Sequence, residues 1–127
     1  MSLDSPISKA RGLGSAKEGA NHWWKQRLTA LALIILCIWL VFSIISLTGS
    51  DFRVAHKWLS NPVNTGLSLL TIIFIFYHLK LGIQVIIEDY IHNEWLKLSS
   101  LILSDLFSIT IGLSCILAIL LVAFGGK

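Results

Sequence analysis

His78 stands inside a long apolar run, and on a helix Gly82, Val85 and Asp89 follow it at i+4, i+7 and i+11, along one face. Tyr90 lies one residue further round. Ionisable groups are costly in hydrocarbon, so a histidine at that depth marks a functional site by default. A neutral imidazole can ligate haem iron through one nitrogen while the other is satisfied nearby. Gly82 removes a side chain from the same face and lets a flat macrocycle or a neighbouring helix approach. The same residues fit a plainer arrangement, an interhelical hydrogen bond at His78 with Gly82 as a small-residue contact. His78 is the one mid-membrane histidine, so a second axial ligand would come from another subunit.

Where the run ends, Asp89 and Tyr90 carry the groups a quinone site needs. A phenol donates a hydrogen bond to a carbonyl, and a carboxylate at the water boundary relays protons. The alternative is a charged helix end with an interfacial tyrosine. Glu88, about 100° from Asp89, reads as a solvated flank. Lys80 lies about 200° round from His78, which predicts that it snorkels to the near membrane surface; a bond to a haem propionate is the other reading. Asp105 is expected to be interfacial or paired. Arg27 suits a propionate contact, the lining of a quinone pocket, or a cytoplasmic anchor, and His22, Lys25 and Gln26 share that ambiguity. His56 and His92 carry little signal.

The elements that must position these groups are apolar helices. The chain of 127 residues is 55% hydrophobic and 13% charged, against the roughly 25% charge of a soluble domain. Residues 28–48, 66–87 and 99–124 are each long enough to cross a hydrocarbon core of about 30 Å. They do not alternate polar and apolar residues as barrel strands do. The expected fold is an all-α integral membrane protein with three transmembrane helices, part of a larger heteromeric bundle. Residues 1–27 form an arm and the entry to the first helix, and they contain no apolar region of a cleavable signal. Residues 49–65 form a loop on the opposite side, with a short interfacial helix over 51–60 and Pro62 opening the second span. Residues 88–98 form the second loop and 125–127 the tail. Lys9, Arg11, Lys17, Lys25 and Arg27 all precede the first span, which places the N-terminus in the cytoplasm. Asp89 and Tyr90 then face the cytoplasm too, and the C-terminus lies across the membrane. The net charge of +3 reflects this topology, and no basic stripe on a soluble face points to nucleic acid.

Trp23, Trp24, Trp58 and Trp95 stand beside span ends, as an aromatic belt does. Cys37 and Cys115 read as small buried apolar residues, and the absence of a Cys-x-x-Cys-His run excludes covalent haem attachment. Three helices have little extramembrane mass and bury few polar faces. His78 and Gln84 are therefore expected to need other helices around them.

Two segments together carry a family resemblance. Gly12-Leu13-Gly14-Ser15-Ala16-Lys17-Glu18-Gly19, followed by His22-Trp23-Trp24-Lys25-Gln26-Arg27-Leu28-Thr29-Ala30, resembles the N-terminal signature of the small hydrophobic membrane anchors of succinate dehydrogenase (respiratory complex II), alphaproteobacterial members above all. His78-x-x-x-Gly82-x-Gln84-Val85-x-x-Glu88-Asp89-Tyr90 resembles their second-helix motif. The resemblance implies that His78 is one axial ligand of haem b, shared with a larger cytochrome b anchor subunit. It implies that Tyr90 bonds the ubiquinone head group with Asp89 beside it, and that Arg27 lies near the propionates and the quinone pocket. FAD and the iron–sulfur clusters would belong to partner flavoprotein and iron–sulfur subunits. The implied location is a bacterial inner membrane, or the mitochondrial one, and the implied function is passing electrons from succinate oxidation to quinone. A quinol:fumarate reductase anchor and a haem-free structural subunit of another membrane complex remain the alternatives.

Overall fold

The computed structural model describes residues 13–125. Residues 1–12, with the start of the expected arm and Gly12 of the N-terminal signature, lie outside the described residues, as do Gly126 and Lys127. Four helices account for the described elements: α1 (Leu13–Leu47), α2 (Phe52–Leu59), α3 (Pro62–Tyr90) and α4 (Glu94–Phe124). The three long ones are each long and apolar enough to cross a membrane. At 1.5 Å per residue α1, with 35 residues, extends about 50 Å, well beyond a core of about 30 Å. The helix therefore takes in residues 13–27, so this part of the expected arm is helical. Asp89 and Tyr90 likewise belong to the last turn of α3.

Local chemistry sets the ends. Gly49 adopts φ 78°, a left-handed conformation that ends the first span. Asn61 caps α3 by accepting from Val63 N at 2.9 Å, with Pro62 in the first turn. Asn93 caps α4 by accepting from Trp95 N and Leu96 N, so the second connection is three residues, 91–93. Each cap contributes about 1 kcal/mol.

The α3 helix is the centre of the packing, with α1 on one side and α4 on the other, and α2 lies across the ends of α3 and α4. Small residues make the close approaches. Thr29, Ser43, Thr65, Thr71 and Ser108 are buried, and Thr29, Ser43, Thr65 and Thr71 return their hydroxyls to carbonyls of their own helix or the preceding turn. In hydrocarbon that back-bonding satisfies the hydroxyl without another helix. Gly112 on α4 meets Phe76 of α3: a Cβ there would lie 3.3 Å from the ring. Trp58 of α2 stacks on Trp39 of α1, with centroids 5.7 Å apart, so its partner is a protein ring as well as the interface. Cys37 is exposed and Cys115 half-buried, against the expectation that both are buried; their faces of α1 and α4 are not covered by this chain.

Lys80 is paired with a carboxylate of the neighbouring helix. Its Nζ lies 2.9 Å from Asp105 Oδ2 on α4. Both residues stand about 6 Å from the midpoints of their helices, at matching depth in an antiparallel pair. A counter-charge one helix away satisfies the ammonium better than extension of its stem, and the carboxylate needs the same partner.

Removing one member leaves an unpaired charge in the membrane, whereas removing both leaves apolar surface. Lys80→Met and Asp105→Leu should each lower the thermal stability of the detergent-solubilised protein, and the double variant should recover most of the loss. For a half-exposed pair the coupling read from this cycle is on the order of 1 kcal/mol. Additive losses would mean that the pair contributes nothing.

Candidate functional site

His78 stands two residues beyond the midpoint of α3, about 3 Å along its axis. Its Nδ1 lies 2.9 Å from Oγ1 of Thr29, on α1. Thr29 is 4% exposed, so this is an enclosed contact between two spanning helices. The same Oγ1 lies 2.8 Å from the Lys25 carbonyl oxygen and 3.1 Å from that of Gln26. Among the described residues nothing hydrogen-bonds His78 Nε2, and the residue is half-buried. The imidazole is thus tied to α1 by one nitrogen and open at the other.

One turn further along α3, Gly82 faces the side chain of Gln26, whose Nε2 would lie 3.6 Å from a Cβ at that position. Within this chain, then, the group that approaches Gly82 is an amide of the neighbouring helix. Between α1 and α3 a cleft of about 660 Å³ opens toward the N-terminal end of α1, lined among others by His22, Gln26, Leu81, Gln84 and Glu88. His22 Nε2 and Gln26 Oε1 are buried and have no partner among the described residues. Buried polar atoms are ordinarily paired, so these two call for a group beyond the described residues. Gln84 donates to Glu88 Oε1 at 2.8 Å and so finds its partner on its own helix, against the expectation that it needs another.

The remaining predicted residues are not gathered around His78. Asp89 shares its face of α3 but stands about 16 Å away along the axis, and Tyr90 about 18 Å. Both are exposed, Tyr90 to 79%. Ties at this end of α3 run through Glu88, whose carbonyl accepts from Lys97 Nζ at 3.4 Å. The Tyr90 phenol and the Asp89 carboxylate are therefore left facing outward. Arg27 lies about 200° round α1 from Thr29, with its guanidinium carbon 5.2 Å from the centroid of Trp23. Trp23 packs edge-on against Trp24. Arg27 and these rings form an outward face of α1, remote from the His78 contact.

The contact of Thr29 with His78 is what the sequence alone did not reveal. A threonine in an apolar helix looks like any residue bonding back to its own carbonyls, and only the neighbouring helix reveals the second contact. At the opposite end of the molecule a cleft of about 410 Å³ lies between α2 and α4, lined by Phe52, Arg53, His56, Leu121, Val122 and Gly125, and holds none of the predicted site residues.

Comparison with known proteins places the chain in a family. Residues 1–123 match the model of the succinate dehydrogenase/fumarate reductase transmembrane subunit. The succinate dehydrogenase hydrophobic membrane anchor subunit of Rickettsia bellii is 38% identical over 113 residues, covering 89% of this chain and 90% of that protein. Its counterpart in Rickettsia conorii is 36% identical, covering 81% and 82%. The succinate dehydrogenase membrane anchor subunit of Reclinomonas americana is 30% identical, covering 75% and 82%. No solved structure matches the chain. The alphaproteobacterial likeness read from the two motifs is borne out by the Rickettsia relatives. With three apolar helices of spanning length, this multi-pass inner-membrane protein belongs to the family of succinate dehydrogenase/fumarate reductase transmembrane subunits.

Proposed function

We propose that this chain is the small anchor of a succinate:quinone oxidoreductase and helps to bind haem b and ubiquinone. The observation that carries the reading is the imidazole of His78, held near mid-span by Thr29 with its second nitrogen open. An axial haem ligand needs that donor set: a neutral ring, fixed on one side and free on the other. His78 would hold the iron from this side, and the larger cytochrome b anchor subunit would supply the opposite ligand. Haem, when bound, supplies a one-electron redox centre at that depth. The outward face of Arg27 is available for a propionate or for a partner subunit.

The exposed end of α3 supports the second half of the reading. Tyr90 would donate its phenol hydrogen to a quinone carbonyl, and Asp89 would pass protons between that head group and water. Among the described residues neither side chain makes a hydrogen bond, which leaves both available to a quinone and an iron–sulfur subunit. The excess of Lys and Arg before the first span supports a cytoplasmic position for this end of α3, where a soluble flavoprotein and iron–sulfur subunit would dock. FAD and the clusters would reside in those partners. This chain positions haem and quinone and does not itself oxidise succinate.

Co-purification of the full membrane complex, read by mass spectrometry and by a reduced-minus-oxidised spectrum, tests the reading. It requires flavoprotein and iron–sulfur partners and a b-type band; a complex without them contradicts it. Tyr90→Phe should slow quinone reduction about tenfold, the loss of one hydrogen bond, while electron transfer to a soluble dye continues. Equal loss of both activities would mean a failure of assembly. His78→Ala should remove most of the b-type band, and an unchanged spectrum would assign the ligand elsewhere.

A further inference from the structure

Thr29 Oγ1 has one hydrogen and three polar neighbours: the carbonyl oxygens of Lys25 and Gln26 and the Nδ1 of His78. A carbonyl oxygen cannot donate, so the hydroxyl hydrogen is directed to the carbonyls, at 2.8 and 3.1 Å. The oxygen then has lone pairs left for the third neighbour. Of the three neighbours His78 alone can donate, at 2.9 Å. The proton of the neutral ring therefore sits on Nδ1, and Nε2 carries the lone pair. The reverse arrangement would set Oγ1 against two carbonyl oxygens with no hydrogen between them. Burial of Thr29 to 4% exposure removes water as a competing partner.

We propose that Thr29 is a positioning residue for the axial ligand, fixing His78 as the Nδ1–H tautomer with Nε2 presented to iron. This rests on the haem-ligand reading of His78. A hydrogen bond from Nδ1–H also raises the basicity of the far nitrogen, which favours ferric over ferrous iron. The contact thus sets ring orientation, tautomer and ligand strength together. It also ties the two recognisable segments of the chain to each other, since Thr29 belongs to the first and His78 to the second.

The test uses the intact complex with Thr29→Val, which keeps the branched shape without the hydroxyl, and Thr29→Ser, which keeps the hydroxyl without the methyl. Optical redox titration and low-temperature electron paramagnetic resonance of the ferric haem are the readouts. Thr29→Val should raise the haem midpoint potential, alter the ferric signal and weaken haem retention by about 10- to 100-fold. Thr29→Ser should match the parent protein in all three. A Val variant with parental potential and signal overturns the proposal, as does a Ser variant shifted as far as Val. If Thr29→Val does not assemble, Thr29→Ala takes its place against Ser under the same criteria. Absence of haem from the parent complex would instead remove the reading beneath it, and the two failures are thereby distinguishable.

Discussion

A histidine inside a membrane has two ring nitrogens to satisfy and no water with which to do it. In this chain the hydroxyl of Thr29 satisfies one across the α1–α3 contact, and the other stays open. The rest of the structure follows from that division. Gly82 and Thr29 keep the two helices close at the level of the imidazole. The Lys80–Asp105 pair fixes the opposite side of α3 against α4 at nearly the same depth. Helix α3 is therefore held from both sides near His78, and among the described residues it has no side-chain ties at Asp89 and Tyr90.

The chain does not close on itself. Its hydrophobic buried residues are few, Leu81, Ile87 and Ala123 among those described, while Ile35, Phe42, Leu103 and Leu121 are each more than three-fifths exposed. Lipid can cover apolar faces at no cost. It cannot satisfy His22 Nε2, Gln26 Oε1 or the open nitrogen of His78. These polar atoms, more than the apolar surface, are what the described residues leave unsatisfied. A family of anchor subunits fits that incompleteness.

The spans, the short helix after the first of them and the start of α3 at Pro62 were legible, because charge-free length, turn residues and helix-start chemistry are local properties. Pairings between helices were not. Lys80 read alone has a long stem and a nearby surface, and nothing in its own helix names Asp105 as partner. Thr29 read alone bonds back to Lys25, and the contact with His78 depends on how α1 and α3 cross. Trp58 was legible as interfacial, but its stacking on Trp39 requires α2 to fold back over α1. His78, Asp89 and Tyr90 were legible as candidates because they share one helix, α3, although Asp89 and Tyr90 stand about 16 and 18 Å from His78 along it. The supporting residues of the candidate site lie on α1 and emerge only from the packing.

As proposed, the His78 imidazole is shared between Thr29 and a group outside this chain. A cryo-electron microscopy map of the assembled complex in its native membrane lipids tests it most directly. The expected map shows Nδ1 against the Thr29 hydroxyl and Nε2 within bonding distance of a porphyrin iron at the boundary with another subunit. An imidazole turned to lipid, or one whose second nitrogen meets only a neighbouring side chain, would contradict it.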